Sequence, residues 1–425
     1  MSASAHQRVT GLAALTAVHR AFHWLHLHQL QLRQWLLEMV RIPAPPFGEQ
    51  ARAAWFMERF HSFGLTNVHL DREGNALAEL TPENAASASS PIILLSAHLD
   101  TVFPAGTPCD PVEGTDSPRI HGPGICDNAA GLSALLAIAA ALRYARIHPP
   151  ATILFAANVG EEGEGDLRGM RYLFERGPYR GRIVAAIALE GSGTAAVTSG
   201  LGSLRFRINI NGPGGHSWSD AGAPNPILLL SRALTAISDL PLPTSPLTTL
   251  NVGTISGGTS VNSIPSSASA LIEIRSSEAG PLDDVALAIR QILSDTLAPA
   301  GNLPQATTLL LKTIGDRPAA ALPDNSPLLS ALRAVDRHLH VKTEQRLGST
   351  DANLPLSLGV PALAIGTGGT GGNIHTLDEW YDPTGREIAL RRILLLLLAA
   401  AESAPQLAEL SAAGSESAIH MTSRT

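Results

Sequence analysis

The chain has 425 residues, a formal net charge of −7 and an apolar fraction of 44%, so it is long enough for two or three domains. The acidic balance, without clustered Lys and Arg, argues against a nucleic-acid partner, and the apolar runs fall short of the about 20 residues that span a membrane. Two cysteines, Cys109 and Cys126, are too few for a disulfide framework and indicate a cytoplasmic protein.

The first part of the chain is predicted to be helical. Its apolar stretch is short and interrupted by His19 and Arg20, so we do not expect a secretory signal. Helical spacing predicts a helix over residues 22–40, which prolines end, and a second helix over 48–64. Residues 68–80 then predict a pair of strands around a turn.

Three apolar strands follow, within residues 91–100, 151–162 and 182–193, with an apolar helix over 128–144 between the first two. Continuous Val, Ile, Leu and Ala runs in strands that alternate with helices are typical of a mainly parallel sheet covered on both faces. We therefore expect an α/β domain whose active residues lie at the carboxyl ends of its strands.

After residue 200 the strands alternate apolar and polar residues instead. The order strand, helix, strand, strand, helix, strand predicts an inserted α+β module at 201–316, with a four-stranded antiparallel sheet and two helices on one side. Residues 1–200 and 317–402 then form the first domain together. Residues 403–425 lack sustained periodicity, which predicts a mobile tail.

Three glutamates, Glu161, Glu162 and Glu164, stand within four positions at the end of the second apolar strand. Like charges at the end of a buried strand repel each other and lose hydration, so they stay ionised only beside a positive charge. This stretch therefore predicts a bound cation.

Polar residues at the ends of the other strands supply further ligands. They are His98, Asp100, Asp127, Glu190 and His375. Two imidazoles and several carboxylates from different loops of one sheet suit zinc or a similar divalent ion, and a bridging carboxylate can hold two such ions.

Neighbouring glutamates can divide two roles between them. One can bind metal while the other takes a proton from a water that the metals activate. Asp100 stands two residues after His98, where we expect it to accept the second imidazole N–H and fix the tautomer of the ring.

Several motifs together resemble the co-catalytic zinc exopeptidases and deacylases, a family that includes peptidase T, glutamate carboxypeptidase, succinyl-diaminopimelate desuccinylase and aminoacylase. The resemblance covers roughly residues 30–400. The matching motifs, in chain order, are AHLD, GPGICDNAAG, GEEGEG, ALEG, GPGGHS, the EIR of LIEIRS, STDA and HTLDE. Their number and order make the signal specific.

The resemblance implies a role for each site residue. In the first domain it implies His98 and Glu190 on one metal, Glu162 and His375 on the other, Asp127 as the bridge and Glu161 as general base. In the inserted module it implies that His216 reaches across a homodimer to polarise the scissile carbonyl, and that Asn262 and Arg275 bind the substrate.

The motifs also bear on substrate and metal. Glu190 stands where aminopeptidases of this family usually have Asp and where its carboxypeptidases and deacylases usually have Glu, which implies a substrate with a free carboxylate. CDNAAG lacks the usual charge after the bridging Asp127, which alters its surroundings. The resemblance implies two metal ions, zinc being expected and cobalt or manganese also suitable.

The expected activity is hydrolysis of an amide bond in a small peptide or N-acyl amino acid. Two alternatives stay open: an aminopeptidase for di- or tripeptides, and an inactive relative that uses the fold for binding. Single residues also have structural explanations, since Asp127 suits a helix N-cap and the three glutamates suit a solvated loop.

Three further features receive structural interpretations. His19, His23 and His26 have helical spacing, which favours an exposed or packed helix face over a metal site. GTGGTGG at 366–372 contains G-x-G-x-x-G without an immediate helix, so its glycines are expected to allow close approach of the backbone to the site. Asp351 of STDA matches the family but receives no chemical role.

Overall fold

A computed structural model of the protein describes residues 4–83, 90–115, 117–297 and 306–412. The chain forms two compact units. The main unit runs to Gly200 and resumes at Ala321, and the inserted unit is Leu201–Ala320.

The helices are described first, in chain order. They are α1 (Ala5–Ala13), α2 (Thr16–Leu27), α3 (Gln29–Val40), α4 (Gln50–Ser62), α5 (Gly131–Ala145), α6 (Arg168–Arg171), α7 (Pro226–Ser238), α8 (Ala279–Leu297), α9 (Pro327–Leu339), α10 (Asn353–Ser357), α11 (Arg386–Glu402) and α12 (Ala404–Ala412). A π-helical turn, Ile125–Ala130, leads directly into α5.

The strands of the first half are β1 (Thr66–Leu70), β2 (Ala76–Leu80), β3 (Ile92–His98), β4 (Val112–Glu113), β5 (Ile120–His121), β6 (Thr152–Asn158), β7 (Ile183–Leu189), β8 (Ala196–Gly200) and β9 (Gly202–Asn211). The later strands are β10 (Gly215–His216), β11 (Thr248–Gly257), β12 (Ser263–Ile264), β13 (Ser267–Ser276), β14 (Thr308–Arg317), β15 (Ala320–Ala321), β16 (Gln345–Gly348), β17 (Ala362–Ile365), β18 (Thr370–Gly372) and β19 (Trp380–Asp382).

The main unit is built on a sheet with the order β1-β2-β6-β3-β7-β17-β8, and β16 also pairs with β8. Its centre is parallel, because β3 pairs in parallel with β6 and β7, and β7 with β17. Every residue of β3, β6 and β7 is buried, as expected for strands covered on both faces. The predicted α/β fold with a mainly parallel central sheet is confirmed.

The apolar helix that follows the π-helical turn lies in the core of the main unit. The segment Ile125–Ala145 is long and apolar enough to cross a membrane. However, 94% of its most apolar 18-residue stretch is buried inside the protein. Buried core helices of soluble proteins can have the same length and apolar composition.

The inserted unit contains the predicted antiparallel sheet, with the order β11-β13-β9-β14. Burial alternates along β9 and β13, so one face of the sheet packs on helices while the other stays polar. Its core joins Phe206, Ile208 and Ile210 to Leu230 of α7 and Ile289 of α8. The prediction of a four-stranded antiparallel sheet is therefore also confirmed.

Two predictions about helices need correction. The helix predicted over 22–40 is two helices, α2 and α3, which meet at His28. The tail predicted to be mobile from residue 403 begins instead with α12, because Ala404 and Leu407 are buried apolar anchors that the short periodic segment hides. Residues 413–425 of that predicted tail lie outside the described residues.

The histidines near the start of the chain lie on an exposed face. His19, His23 and His26 are all exposed, and His26 Nδ1 lies 2.8 Å from Glu387 Oε2 in α11. Within the described residues, none of the three belongs to a group of side chains close enough to share an ion. Both cysteines are free thiols.

Candidate metal centre and active site

Neighbouring strands of the main sheet bring most of the candidate residues together. His98 is the last residue of β3, Glu161 and Glu162 follow β6, and Glu190 follows β7. These three strands are parallel neighbours in the order β6-β3-β7, so their carboxyl ends lie side by side, about 4.8 Å apart. The sheet therefore collects these side chains at one edge.

Asp127 joins them from the π-helical turn before α5. Its backbone is not helical, with φ −115° and ψ 90°, so it does not have the geometry of an ordinary helix residue. The capping contact belongs to its neighbour, because Asn128 Oδ1 accepts the backbone N–H of Gly131 at 3.2 Å. The helix N-cap explanation therefore does not account for Asp127.

The two carboxylate oxygens of Asp127 face different histidines. Oδ1 lies 3.0 Å from His98 Nε2, and Oδ2 lies 3.1 Å from His375 Nε2. His98 Nε2 is also 3.5 Å from Glu190 Oε1, and His375 Nε2 is 3.0 Å from Glu162 Oε1. We call His98, Asp127, Glu162, Glu190 and His375 the ligand cluster.

The donor set of the ligand cluster fits divalent cations. One group of side chains within ligand distance is His98, Asp127 and Glu190, and another is Asp127, Glu162 and His375. His98 Nε2, Asp127 Oδ1 and Glu190 Oε2 are buried yet have no hydrogen-bond partner, although the first two atoms are close together. Buried polar atoms without partners at the same point are the arrangement that a metal ion satisfies.

Charges within the ligand cluster are strongly coupled. Burial opposes ionisation of Asp127, but the adjacent imidazoles of His375 and His98 outweigh it and lower the pKa of Asp127 well below the ordinary range. Hydrogen bonds that His375 donates to the Asp127 and Glu162 carboxylates raise the pKa of His375 to about 10. Burial raises the pKa of Glu190 to about 7. The carboxylates thus demand positive charge from whatever lies between them.

His98, like His375, has a raised pKa, although burial alone disfavours its charged form. The neighbouring Glu190 and Asp127 carboxylates raise its pKa well above the ordinary value. The side chain of His98 is 1% exposed and that of His375 is 50% exposed, so the ligand cluster runs from the core to the surface. A substrate can therefore approach it from the His375 side.

Asp100 is buried beside the ligand cluster but does not make the predicted contact. His98 Nδ1 donates to the backbone carbonyl of Asp100 at 3.0 Å, while the Asp100 carboxylate lies 3.7 Å away. That carboxylate instead accepts the backbone N–H groups of Glu161 and Glu162, at 3.0 and 2.7 Å. The predicted role is corrected: the backbone orients the imidazole, and the side chain holds the glutamate loop.

Glu161 lies next to the ligand cluster, 5% exposed. Its carboxylate lies close enough to the side chains of His98 and Glu162 for the three to share an ion. The predicted alternative, a solvated acidic loop, applies only to Glu164, which is exposed, whereas Glu161 and Glu162 are buried.

Glu379 is a site residue that the sequence interpretation missed. It is fully buried, and its carboxylate accepts the backbone N–H groups of Cys126 at 2.7 Å, Asp127 at 2.8 Å and Gly124 at 3.1 Å. Burial raises its pKa to about 7. The signal was present as the final residue of HTLDE, four positions after His375.

Replacing Glu379 with alanine is expected to destabilise the main unit by about 3 kcal/mol, because buried backbone N–H groups lose their acceptor. Thermal unfolding in the presence of a chelator measures this without any contribution from metal binding. Glu379→Gln keeps one acceptor oxygen, and we expect an intermediate loss. An alanine variant as stable as the parent protein would contradict the structural role.

In the inserted unit, His216 and Asn262 lie together. Pairing of β10 with β12 places His216 opposite Ser263, and the backbone N–H of Ser217 donates to the Asn262 carbonyl at 3.1 Å. Nδ1 of His216 accepts the backbone N–H groups of Trp218 and Ser219, at 3.2 and 3.3 Å. In the neutral ring the proton is therefore on Nε2, which is left as a donor.

Arg275 is not brought together with those two residues. It lies near the end of β13, whereas Asn262 precedes its start, and the eight residue steps from Ser267 to Arg275 span about 27 Å of strand. Its guanidinium is paired with Glu273, at 2.9 and 3.0 Å, and Arg205 contacts the same carboxylate. A substrate carboxylate at Arg275 has to share this guanidinium with Glu273.

The pair of arginines makes the stability of the inserted unit depend on pH. Burial works against ionisation of Glu273, but Arg275 and Arg205 prevail and lower its pKa below the ordinary 4.5. A carboxyl with a lower pKa when folded stabilises the fold above its unfolded pKa, and this contribution is lost as pH falls through the folded pKa.

The unfolding temperature of the parent protein should fall between pH 6 and pH 3. We therefore expect this fall to be smaller in Glu273→Gln than in the parent protein. The effect should be below about 1 kcal/mol, because the group is partly exposed. Calorimetry across this range measures it, with Glu278→Gln on an exposed residue as the control. Equal pH dependence in all three proteins would exclude this contribution.

Two other motifs take structural positions in the main unit. Asp351 of STDA is buried and accepts a hydrogen bond from Asn158 Nδ2 at 2.8 Å, at the end of β6. The glycine-rich stretch forms β18 rather than a helix start, and a Cβ on Gly371 would stand 2.4 Å from Cys126 Sγ. Its glycines thus allow the backbone to lie against the Asp127 turn.

Comparison with known proteins points to one family. The sequence model described as Peptidase family M20/M25/M40 matches residues 94–400. A probable carboxypeptidase of Aspergillus clavatus is 31% identical over 266 residues, 58% of each chain. One from Talaromyces marneffei is 30% identical over 274 residues, 59% of this chain and 54% of that protein. The chain thus spans a little over half the length of these curated relatives.

Solved structures share the fold. A tripeptidase of Staphylococcus aureus superposes with a TM-score of 0.68 at 20% identity, covering 87% of this chain and 98% of that one. A dinuclear metal binding peptidase of Bacillus subtilis has a TM-score of 0.63 at 16% identity, covering 88% and 98%. At these identities the likeness concerns the architecture alone.

Proposed function

Because the chain belongs to peptidase family M20/M25/M40, as its motifs predicted, we propose that it is a metal-dependent exopeptidase or deacylase. Its substrate is a small peptide or N-acyl amino acid with a free carboxylate. The observation that carries this proposal is the position of Asp127, whose two oxygens face the two histidines of the ligand cluster. A carboxylate between two imidazoles suits the bridging position of a two-metal site.

The ligand cluster divides into two sets of donors. His98 and Glu190 would hold one ion, Glu162 and His375 the other, and Asp127 both. Divalent ions bound there would supply Lewis acidity toward the scissile carbonyl and lower the pKa of water. Nitrogen and oxygen donors of this kind suit zinc, and the proposed native metal is zinc.

Glu161 is the proposed general base. Its backbone N–H donates to the Asp100 carboxylate, which fixes the backbone. Its side chain lies close enough to His98 and Glu162 to share an ion with them. A buried carboxylate so placed can accept a proton from the attacking water and deliver it to the leaving amine.

The inserted unit supplies the proposed substrate contacts. The Nε2 proton of His216 is available to donate to the carbonyl oxygen as negative charge develops there. Arg275 is proposed to hold the substrate carboxylate, since a guanidinium pairs with carboxylates in a planar, bidentate way.

The separation of these contacts supports a homodimer. One inserted unit holds His216 and Asn262 at one end of β13 and Arg275 at the other, with about 27 Å of strand between Ser267 and Arg275. A single copy of this unit is poorly suited to offer all three to one small substrate. We propose that two chains contribute, with His216 and Asn262 from one and Arg275 from the other.

A panel of N-blocked and C-blocked dipeptides tests the proposed specificity on zinc-loaded protein. We expect cleavage of N-acyl amino acids and N-blocked dipeptides, and none of C-blocked dipeptides. The reverse pattern would identify an aminopeptidase. Failure to take up metal or to hydrolyse any member of the panel would identify an inactive relative.

A further inference from the structure

A second feature of the main unit is a cavity of about 700 Å³ beside the ligand cluster. Three segments line it: Ser192–Ala195 after β7, Lys342–Glu344 with Arg346 at the start of β16, and Gly369–Gly371 around β18. Neither Lys342 nor this cavity has a part in the proposed hydrolysis.

Strand register places the cavity at the same sheet edge as the ligand cluster. Leu189 of β7 pairs with Ile365 of β17, Ile365 with Ala196 of β8, and Ala196 with Gln345 of β16. These four residues form one row across three strand spacings, about 14 Å. Glu190 follows the first member of the row, and Lys342 precedes the last by three residues.

The near wall of the cavity is continuous with the ligand cluster. Ser192 is two residues after Glu190, a distance of at most about 7 Å along the chain. Gly371 packs against Cys126, the residue before Asp127, so closely that a Cβ would stand 2.4 Å from its Sγ. A molecule bound at the ligand cluster can therefore extend into the cavity.

A buried ion pair holds the far wall in place. Arg392 is fully buried and donates to Asp336 Oδ1 at 2.6 Å, to Thr343 Oγ1 at 2.6 Å and to the Thr194 carbonyl at 3.1 Å. It thereby joins two of the lining segments. Lys342 is adjacent to Thr343, so its backbone position is fixed by this network.

The lining of the cavity carries one uncompensated charge. Arg346 pairs with Glu344 at 2.7 Å, which balances those two residues. Among the residues that the structure describes, no carboxylate oxygen lies within 4.0 Å of the Lys342 ammonium group. Lys342 is exposed at the rim of the cavity, and an ammonium there attracts an anion without requiring the planar approach that arginine favours.

We propose that this cavity is a substrate subsite and that Lys342 gives it a preference for a carboxylate remote from the scissile bond. The inference rests on the proposed function and adds a second acidic group to its substrate. That group belongs either to the acyl part or to the side chain of the released amino acid. The row of strands spans about 14 Å, or about four residue lengths, so the extended Lys342 side chain and one arm of the substrate together have to bridge that distance.

Two substrate pairs distinguish the sources of the carboxylate. N-glutaryl-alanine and its terminal amide differ only in charge on the acyl side, and N-acetyl-glutamate and N-acetyl-glutamine differ only on the other side. In one of the two pairs we expect kcat/KM for the acid to be about five times kcat/KM for its amide, which is the effect of one partly exposed charge pair. Lys342→Met should bring this acid-to-amide ratio close to one.

The matched control comes from the composition of the chain, which contains only two lysines, Lys312 and Lys342. Lys312 is exposed on β14 of the inserted unit, and Lys312→Met should leave both ratios as they are. If both ratios are the same in the parent protein and in Lys342→Met, the subsite is overturned while the proposed function stands.

A binding experiment tests the cavity independently of turnover. Glutarate should slow reductive methylation of Lys342 relative to Lys312, and glutaramide should not, as followed by mass spectrometry of the holoprotein. Absence of hydrolysis with every substrate would overturn the proposed function but leave this test valid. Equal methylation of both lysines with and without glutarate would overturn the subsite.

Discussion

Replacement of Glu161 by glutamine is expected to lower kcat by about 10³-fold, within the range that a general base contributes. The amide has nearly the shape of the carboxylate but cannot accept a proton. The backbone at this position is held by the Asp100 carboxylate, which the substitution does not touch. The fold and the metal content should therefore stay as they are.

The loop itself provides the controls for this experiment. Glu162→Gln removes a member of the ligand cluster, and we expect it to lower metal content together with activity. Glu164 is exposed, and Glu164→Gln should change neither. Steady-state kinetics and metal analysis of the three variants separate the roles. Near-normal turnover in Glu161→Gln would refute the assignment of the base.

Replacement of Asp127 by alanine is expected to abolish activity and to reduce bound metal from the proposed two ions per chain to almost none. Asp127 belongs to both donor groups of the ligand cluster, so its loss weakens both sites at once. Losing a ligand that two ions share also leaves the remaining carboxylates close together without compensation.

His375→Ala provides the comparison, because His375 belongs to only one of those two groups. We expect it to keep one ion on the His98 side. Metal analysis after dialysis, with calorimetric titration of the metal-free proteins, measures both stoichiometries. Equal metal content in Asp127→Ala and the parent protein would contradict the bridging role.

Much of the site could be predicted because its residues end apolar strands. His98, Glu162 and Glu190 follow continuous apolar runs, and parallel packing of such runs brings their carboxyl ends together. The insertion was visible as a change from continuous to alternating patterns. These signals are local and come from the period of the sequence.

Other features depend on contacts between distant residues, which periodicity does not encode. Glu379 accepts hydrogen bonds from residues more than 250 positions away. Arg275 pairs with Glu273 on the same strand, and Arg205 of β9 contacts that carboxylate from the adjacent strand. The short helix α12 is stabilised by the burial of Ala404 and Leu407, which a short weakly periodic segment does not reveal.

The position of β17 between β7 and β8 has a consequence for biosynthesis. Because β17 and His375 follow the inserted unit in sequence, a growing chain that has emerged only as far as residue 320 lacks a central strand and one of the two histidines. The nascent protein therefore cannot bring the whole ligand cluster together until residue 375 has left the ribosome. Any ion that needs the whole cluster would bind only after the inserted unit has been made.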